Sequence, residues 1–279
     1  MLGLLRASHP EPGAAVTAAA VLLAIGVGHS LTGTLVVGAT VAASQLAVGW
    51  HNDYLDAGRD AAVGRPDKPI ATGAVGRGTV GIAALVAAAV TVPVALLAGL
   101  PAAFAAALGL GSALAYNWPL KFTRASVLPY AVSFATLPAF VVLALPGAPA
   151  PPAWLIGAGG LLGAGAHFAN ALPDLGDDAR TGVRGLPQRL GPTGSGIAAG
   201  ALLLAATAVL VFGPPGPPSW AGLAAVAIAV AVLPIGWYLA RQATARGARP
   251  VIAFRAVLVV ALLDVLLLLA SGRLVGTGA

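Results

Sequence analysis

Nine apolar stretches of about twenty residues recur along this chain, each long enough to cross a hydrocarbon core as a helix. They run near 14–30, 33–51, 79–98, 101–117, 126–145, 153–172, 194–213, 219–240 and 251–271. Gly/Pro clusters and charged residues punctuate the joins. Only 9% of the 279 residues are charged, too few to cover the surface of a water-soluble domain of this size. A soluble globular enzyme, a nucleic-acid binder and a disordered chain are therefore excluded, in spite of a net charge of +6. Without cysteine there is no disulfide framework, thiol catalysis or Cys-ligated metal. The expectation is an all-α, polytopic membrane bundle of about nine transmembrane helices, one integral-membrane domain over residues 1–279. The 37 glycines weaken the hydrophobicity of several spans, but small residues let membrane helices approach closely. The first span follows only Arg6 and His9 and has other spans behind it, so it reads as a retained helix rather than a cleaved signal peptide.

Basic residues orient the spans. Arg6 precedes the first; Arg59, Arg65, Lys68 and Arg77 lie between the second and third; Lys121 and Arg124 follow the fourth. Arg180, Arg184 and Arg189 follow the sixth, and Arg241, Arg246, Arg249 and Arg255 lie around the loop before the last. Only Arg273 falls on the other side. The positive-inside rule then puts the N-terminus in the cytoplasm and the C-terminus outside, in a multi-pass protein of the cell membrane. The outer loops are short and proline-rich and carry no chemistry.

The acids are distributed unevenly. Seven of the nine lie in the loops after the second and sixth spans. Both loops contain the frame Asn-x3-Asp-x3-Asp, at Asn52, Asp56 and Asp60 and again at Asn170, Asp174 and Asp178, with Asp53 and Asp177 alongside. The 118-residue offset suggests an internal duplication. On a helix, residues four apart share a face, each step rising about 6 Å. Carboxylates stacked so closely repel unless a cation sits between them. Hard oxygen ligands suit Mg²⁺, which takes one or two carboxylates plus substrate phosphates and keeps some waters. Two such faces suit two Mg²⁺ clusters against a single diphosphate, with Arg59, Arg65, Lys68, Lys121, Arg180 and Arg184 meeting the remaining phosphate charge. The competing view, solvated loops in which Asp, Asn and Gly serve as turn formers and caps, does not explain two copies of one frame.

These residues resemble the UbiA superfamily of intramembrane prenyltransferases. The likeness rests on Asn52-Asp53-x2-Asp56-x3-Asp60 followed by Arg65-Pro-Asp-Lys-Pro-Ile-Ala-Thr-Gly73, and on Tyr116-Asn-Trp-Pro-Leu-Lys121. It continues in Asp174-x2-Asp177-Asp178-x-Arg180-x-Gly182 before Leu186-Pro-Gln-Arg-Leu-Gly191, and so covers nearly the whole chain. The resemblance implies a helical bundle with a central cavity opening to the cytoplasmic side. It also implies Mg²⁺-dependent transfer of an isoprenyl group from its diphosphate to an aromatic, quinone-precursor-type or other lipophilic acceptor. Such chemistry needs the leaving group stabilised by metal and cations, and an apolar chamber to keep the allylic cation from water.

By this resemblance Asp56, Asp60, Asp174 and Asp178 face the metal, with Asp53 and Asp177 as outer supports. Lys121, Arg65, Lys68 and Arg180 contact diphosphate, Asn52 and Asn170, one turn before the carboxylates, also bind substrate, and Tyr116 meets the phosphate or the carbocation. Asp174 is the candidate to accept the acceptor's proton. His167, one turn before Asn170, is a candidate acceptor contact. Three departures are present: Lys68 where many members have Arg, Arg180 where many have Lys, and Pro173 before Asp174 where Gln or Asn is common. Pro173 is expected to break the sixth span near its end.

Asp264, alone in the last span, reads as a helix–helix hydrogen bond. The tryptophans Trp50, Trp118, Trp154, Trp220 and Trp237 read as interfacial anchors. A transporter also uses intramembrane acids, but these cluster at one face instead of spreading through the spans. A CDP-alcohol-type phosphotransferase requires Asp-x2-Asp-Gly-x2-Ala-Arg; Ala57 stands in the Gly place, and no Ala-Arg follows at the required offset.

Overall fold

The computed structural model describes residues 2–62, 64–245 and 251–276, and among these every regular element is helical. The helices are α1 (Leu2–Ala7), α2 (Pro10–Gly26), α3 (Leu31–Ala62), α4 (Arg77–Leu96), α5 (Leu100–Asn117) and α6 (Val127–Leu143). They continue as α7 (Ala153–Ala171), α8 (Leu175–Thr181), α9 (Leu186–Phe212), α10 (Trp220–Ala245) and α11 (Val251–Gly276). A 3₁₀ turn, Leu120–Phe122, precedes α6. The long helices fall on the nine expected spans. Among the described residues, five helices, α3, α4, α5, α9 and α10 (over Trp220–Leu239), are long and apolar enough to cross a membrane, and α2 and α6 are shorter apolar helices. Arg246 and Arg249, two of the orienting cations, lie outside the described residues.

Two boundaries differ from the sequence expectation, each for a local reason. Apolarity ends at Trp50, yet α3 continues to Ala62, because Asp, Arg and Ala tolerate helix as long as water reaches their polar ends. Its 32 residues give a length of about 48 Å against a hydrocarbon core of about 30 Å, so the aspartate segment prolongs a spanning rod. The seventh span begins earlier than expected, at Leu186, but α9 is broken at Gly191 (φ 70, ψ −178). Glycine adopts that left-handed φ without steric cost, and Pro192 then restarts the helix.

The chain forms two compact units. The first comprises Met1–Leu120 and Thr136–Ala150, and in it α3 packs on α2, α4 and α5. Ala47, Ala87 and Leu110 form a small core there, with Trp50 and Leu114 packed against it. The end of α6 is tied to the α2–α3 turn by His29 Nε2, which donates to the Val141 carbonyl at 2.8 Å.

The second unit comprises Lys121–Ala135 and Pro151–Ala279, and α9 is central to it, packing on α7, α10 and α11. Its core joins Leu162, Phe168, Leu203, Ala206, Val257 and Val260. Small residues set the spacing: a Cβ on Gly163 of α7 would stand 2.5 Å from the Tyr130 carbonyl and from Phe134 Cβ on the start of α6. Asp264 is buried on α11 and accepts a hydrogen bond from Thr207 Oγ1 of α9 at 2.5 Å, the helix–helix contact its sequence setting suggests.

Candidate active site

In the first unit the aspartate frame is a helical ladder. Asn52, Asp56 and Asp60 all lie on the uninterrupted α3, one turn apart along one side. Asn52 Nδ2 donates to Asp56 Oδ2 at 3.2 Å, so the first rung orients the second. Cations then meet the carboxylates. Arg59 donates to Asp56 Oδ2 at 2.7 Å, and Lys68 Nζ lies 2.7 Å from Asp53 Oδ1 and 4.0 Å from Asp60 Oδ2. Asp53 is only 2% exposed, and His9 Nε2 also donates to its Oδ1, at 2.8 Å. One ammonium group thus lies against both Asp53 and Asp60 and offsets part of the negative charge of this face.

Arg65 engages its neighbour instead. Its Nε and Nη2 donate to the two oxygens of Asp67 at 2.8 and 2.7 Å. That fork of hydrogen bonds holds the Asp67 carboxyl down to about 2. Tyr116 is half-buried near the end of α5. The next residue, Asn117, reaches α3. Its Nδ2 donates to the Val48 carbonyl at 3.0 Å and lies 3.3 Å from His51 Nδ1, and its Oδ1 accepts from Asn52 at 3.4 Å.

In the second unit the same sequence frame takes another shape, and the expectation of a single helical face is corrected. α7 ends at Ala171 and α8 begins at Leu175, leaving Asn170 on one helix, Asp174 in the turn and Asp178 on the other. Pro173 is the physical cause: it lacks the N–H that would continue the ladder, and its ring obstructs the preceding turn. Asp174 occupies the N-cap position of α8, makes no side-chain cap hydrogen bond and is exposed. Asp178 Oδ2 accepts from Gln188 Nε2 at 2.7 Å. Lys121 is 6% exposed, with Nζ 5.3 Å from the centre of the Phe122 ring. His167 is 2% exposed, 3.0 Å from Ser126 Oγ through Nε2, and its ring lies 4.9 Å from that of Tyr130. The Tyr130 hydroxyl in turn is hydrogen-bonded to Asn170. The side chains of Asp177 and Arg180 lie outside the described residues.

The geometry can be set beside known proteins. The model of the UbiA prenyltransferase family matches residues 14–270, running through both units. The chain belongs to that family. It is an integral membrane protein and a transferase of prenyl groups. Among solved structures, a UbiA homolog from Archaeoglobus fulgidus bound to GPP and Mg²⁺ is similar at 15% identity and a TM-score of 0.70, covering 96% of this chain and 99% of that one. An apo UbiA homolog from Aeropyrum pernix K1 is similar at 19% identity and a TM-score of 0.68, over 89% of this chain and 94% of that one. A structure of digeranylgeranylglyceryl phosphate synthase is similar at 14% identity and a TM-score of 0.70, over 97% and 98%. At these identities the likeness is one of UbiA fold. No curated protein matches the sequence.

Within this UbiA chain, four residues that were not among the expected site residues contribute to the two aspartate segments. His9 and Asn117 reach the first aspartate segment from 44 and 65 residues away. Gln188 and Ser126 support the second. The Tyr116–Lys121 stretch contained a signal for Asn117, a carboxamide at the end of an apolar span, and the Leu186–Gly191 stretch contained Gln188; His9 and Ser126 carried none.

Proposed function

We propose that this protein is a Mg²⁺-dependent intramembrane prenyltransferase that moves an isoprenyl group from its diphosphate to an aromatic, quinone-precursor-type or other lipophilic acceptor. The observation that carries the reading is the carboxylate ladder on α3, with Asp56 and Asp60 one turn apart and Arg59 and Lys68 against them. Similar solved structures are described as bound to GPP and Mg²⁺ and to DMAPP and Mg²⁺, which supports the same ligand classes here.

The donor set fits magnesium. Within either unit, among the described residues, no three His, Asp or Glu side chains gather to hold an ion alone. Mg²⁺ needs no such cage, since one or two carboxylates suffice when substrate phosphates and water complete an octahedron. When bound, magnesium supplies charge stabilisation for the departing diphosphate. Asp56, Asp60, Asp174 and Asp178 are the carboxylates proposed to face it, with Asp53 and Asp177 behind them.

The remaining residues bind, orient and shield. Lys121, Arg65, Lys68 and Arg180 take diphosphate charge, and Lys68 trades part of its contact with Asp53 for phosphate oxygen. Asn52 and Asn170 orient the carboxylates, Tyr116 lies against the phosphate or the allylic carbon, and His167 serves the acceptor side. In the transfer the allylic C1–O bond breaks and diphosphate leaves. C1 then bonds to the acceptor, whose proton passes to a base, for which Asp174 is proposed. The N-terminus is proposed to be cytoplasmic, which gives the diphosphate access from that side.

Purified protein in detergent, given labelled geranyl, farnesyl or longer diphosphates and a panel of phenolic, naphthoic and glycerol-lipid acceptors, tests the reading. Label passing to one acceptor class names the substrate. If no donor binds or reacts with any acceptor while the protein is folded, the proposal fails and an ion-transport role for the carboxylates takes its place.

A further inference from the structure

A chain of contacts in the second unit links three proposed site residues to one buried pair. Ser126 is fully buried, and its Oγ accepts the Leu186 N–H at 2.9 Å while sharing a 3.0 Å hydrogen bond with His167 Nε2. Leu186 opens α9, and two residues on, Gln188 donates to the Asp178 carboxylate. On the other side, His167 packs on the Tyr130 ring, and the Tyr130 hydroxyl is hydrogen-bonded to Asn170. Between the two, Gly185 lies flat on the turn that carries Lys121: a Cβ there would stand 2.6 Å from the Lys121 carbonyl and 3.0 Å from Ser126 Oγ.

We infer that Ser126 and His167 form a positioning pair that sets the broken second aspartate segment, holding Asn170, Asp178 and the Lys121 turn in one arrangement. The inference rests on the proposed role of that segment in binding the diphosphate. The first segment needs no such device, because continuous helix already places Asn52, Asp56 and Asp60. In the second, Pro173 ends α7 between Asn170 and Asp174. Helical periodicity therefore no longer relates the two ends, and a tertiary anchor must do so. A buried hydroxyl that accepts a backbone N–H and pairs with the Nε2 of a buried imidazole is such an anchor, since Ser126 Oγ meets both partners only in this geometry. This gives His167 a positioning role, exerted through Ser126 and Tyr130, in addition to the acceptor-side role proposed above.

The test uses the full-length protein in detergent, with monodispersity checked for every variant. Calorimetric binding of a non-hydrolysable prenyl diphosphate analogue with Mg²⁺ is measured beside amide hydrogen exchange over residues 183–190, with 52–62 as the internal reference. Ser126→Ala and His167→Leu should each weaken analogue binding about ten-fold and speed exchange at 183–190, leaving 52–62 unchanged, as expected for loss of one buried hydrogen bond. His167→Gln, which keeps a polar nitrogen near the Nε2 position, should return binding to within about three-fold of wild type on the same scale. Faster exchange with unchanged analogue binding would make the pair structural only and overturn the inference. So would a His167→Leu effect confined to the KM for acceptor. If Asp178→Asn binds the analogue as wild type does, the underlying role of the second segment fails instead, and the two failures are distinguishable.

Discussion

Lys68 and Asp53 offer the most quantitative test of the first aspartate segment. Their side chains are 12% and 3% exposed, and Nζ stands 2.7 Å from Oδ1. Lys68→Met leaves a buried carboxylate with His9 as its remaining described hydrogen-bond donor. Losing a charge-assisted hydrogen bond at such a site costs about 1.5–3 kcal/mol. For a chain of this size that lowers the melting temperature by roughly 3–5 °C. Asp53→Asn should cost less, because Lys68 retains Asp60 at 4.0 Å and can turn its ammonium toward water. The double variant removes the uncompensated charge along with its partner. It should therefore melt above Lys68→Met alone, with a coupling energy of about 1.5–3 kcal/mol. Thermal unfolding followed by intrinsic fluorescence in one detergent at fixed salt supplies all four corners of the cycle. Additive losses, with the double variant the least stable of the four, would refute the reasoning that Lys68 compensates a buried Asp53.

Other outcomes follow from single contacts. Thr207→Val removes the donor to the buried Asp264 and should cost about 1 kcal/mol, the usual range for hydrogen bonds between membrane helices; adding Asp264→Leu should recover most of that in the same melting assay. Gly163→Leu must displace the Tyr130 backbone or Phe134 and should destabilise by about 1–3 kcal/mol, visible as loss of monodisperse protein on heating. Asp56→Ala should abolish transfer while leaving the chain folded and membrane-inserted, because Asp56 lies on the part of α3 that prolongs the spanning rod; a protein that fails to insert would show the carboxylate to be structural.

The spans were legible because apolar length is a local property, and each of the nine expected segments holds a long helix. What apolarity cannot tell is where a helix ends once it leaves the hydrocarbon, and α3 runs past Trp50 through the whole first aspartate segment. The two copies of the Asn-x3-Asp-x3-Asp frame look equivalent as text and are not equivalent in space. Pro173 announced the difference, and its backbone effect outweighs the periodicity of its neighbours. Residues joined only by tertiary structure stayed hidden. His9 meets Asp53 because the chain before α2 returns to α3, where Trp50 Nε1 also donates to the Leu4 carbonyl at 2.8 Å. His9 sits in no motif, and no spacing relates it to Asp53. Ser126 is a similar case, and Gln188, although inside the Leu186–Gly191 stretch, takes its meaning from where the break in α7 sends the chain.

The most direct test of the central claim is prenyl transfer by the purified protein as Mg²⁺ is removed with EDTA and then restored, in wild type and in Asp56→Asn and Asp174→Asn. The account predicts transfer that vanishes with EDTA and returns with Mg²⁺ in wild type, and that stays absent in both variants at every Mg²⁺ concentration. Transfer that persists in EDTA, or near-wild-type transfer by both variants, would contradict it.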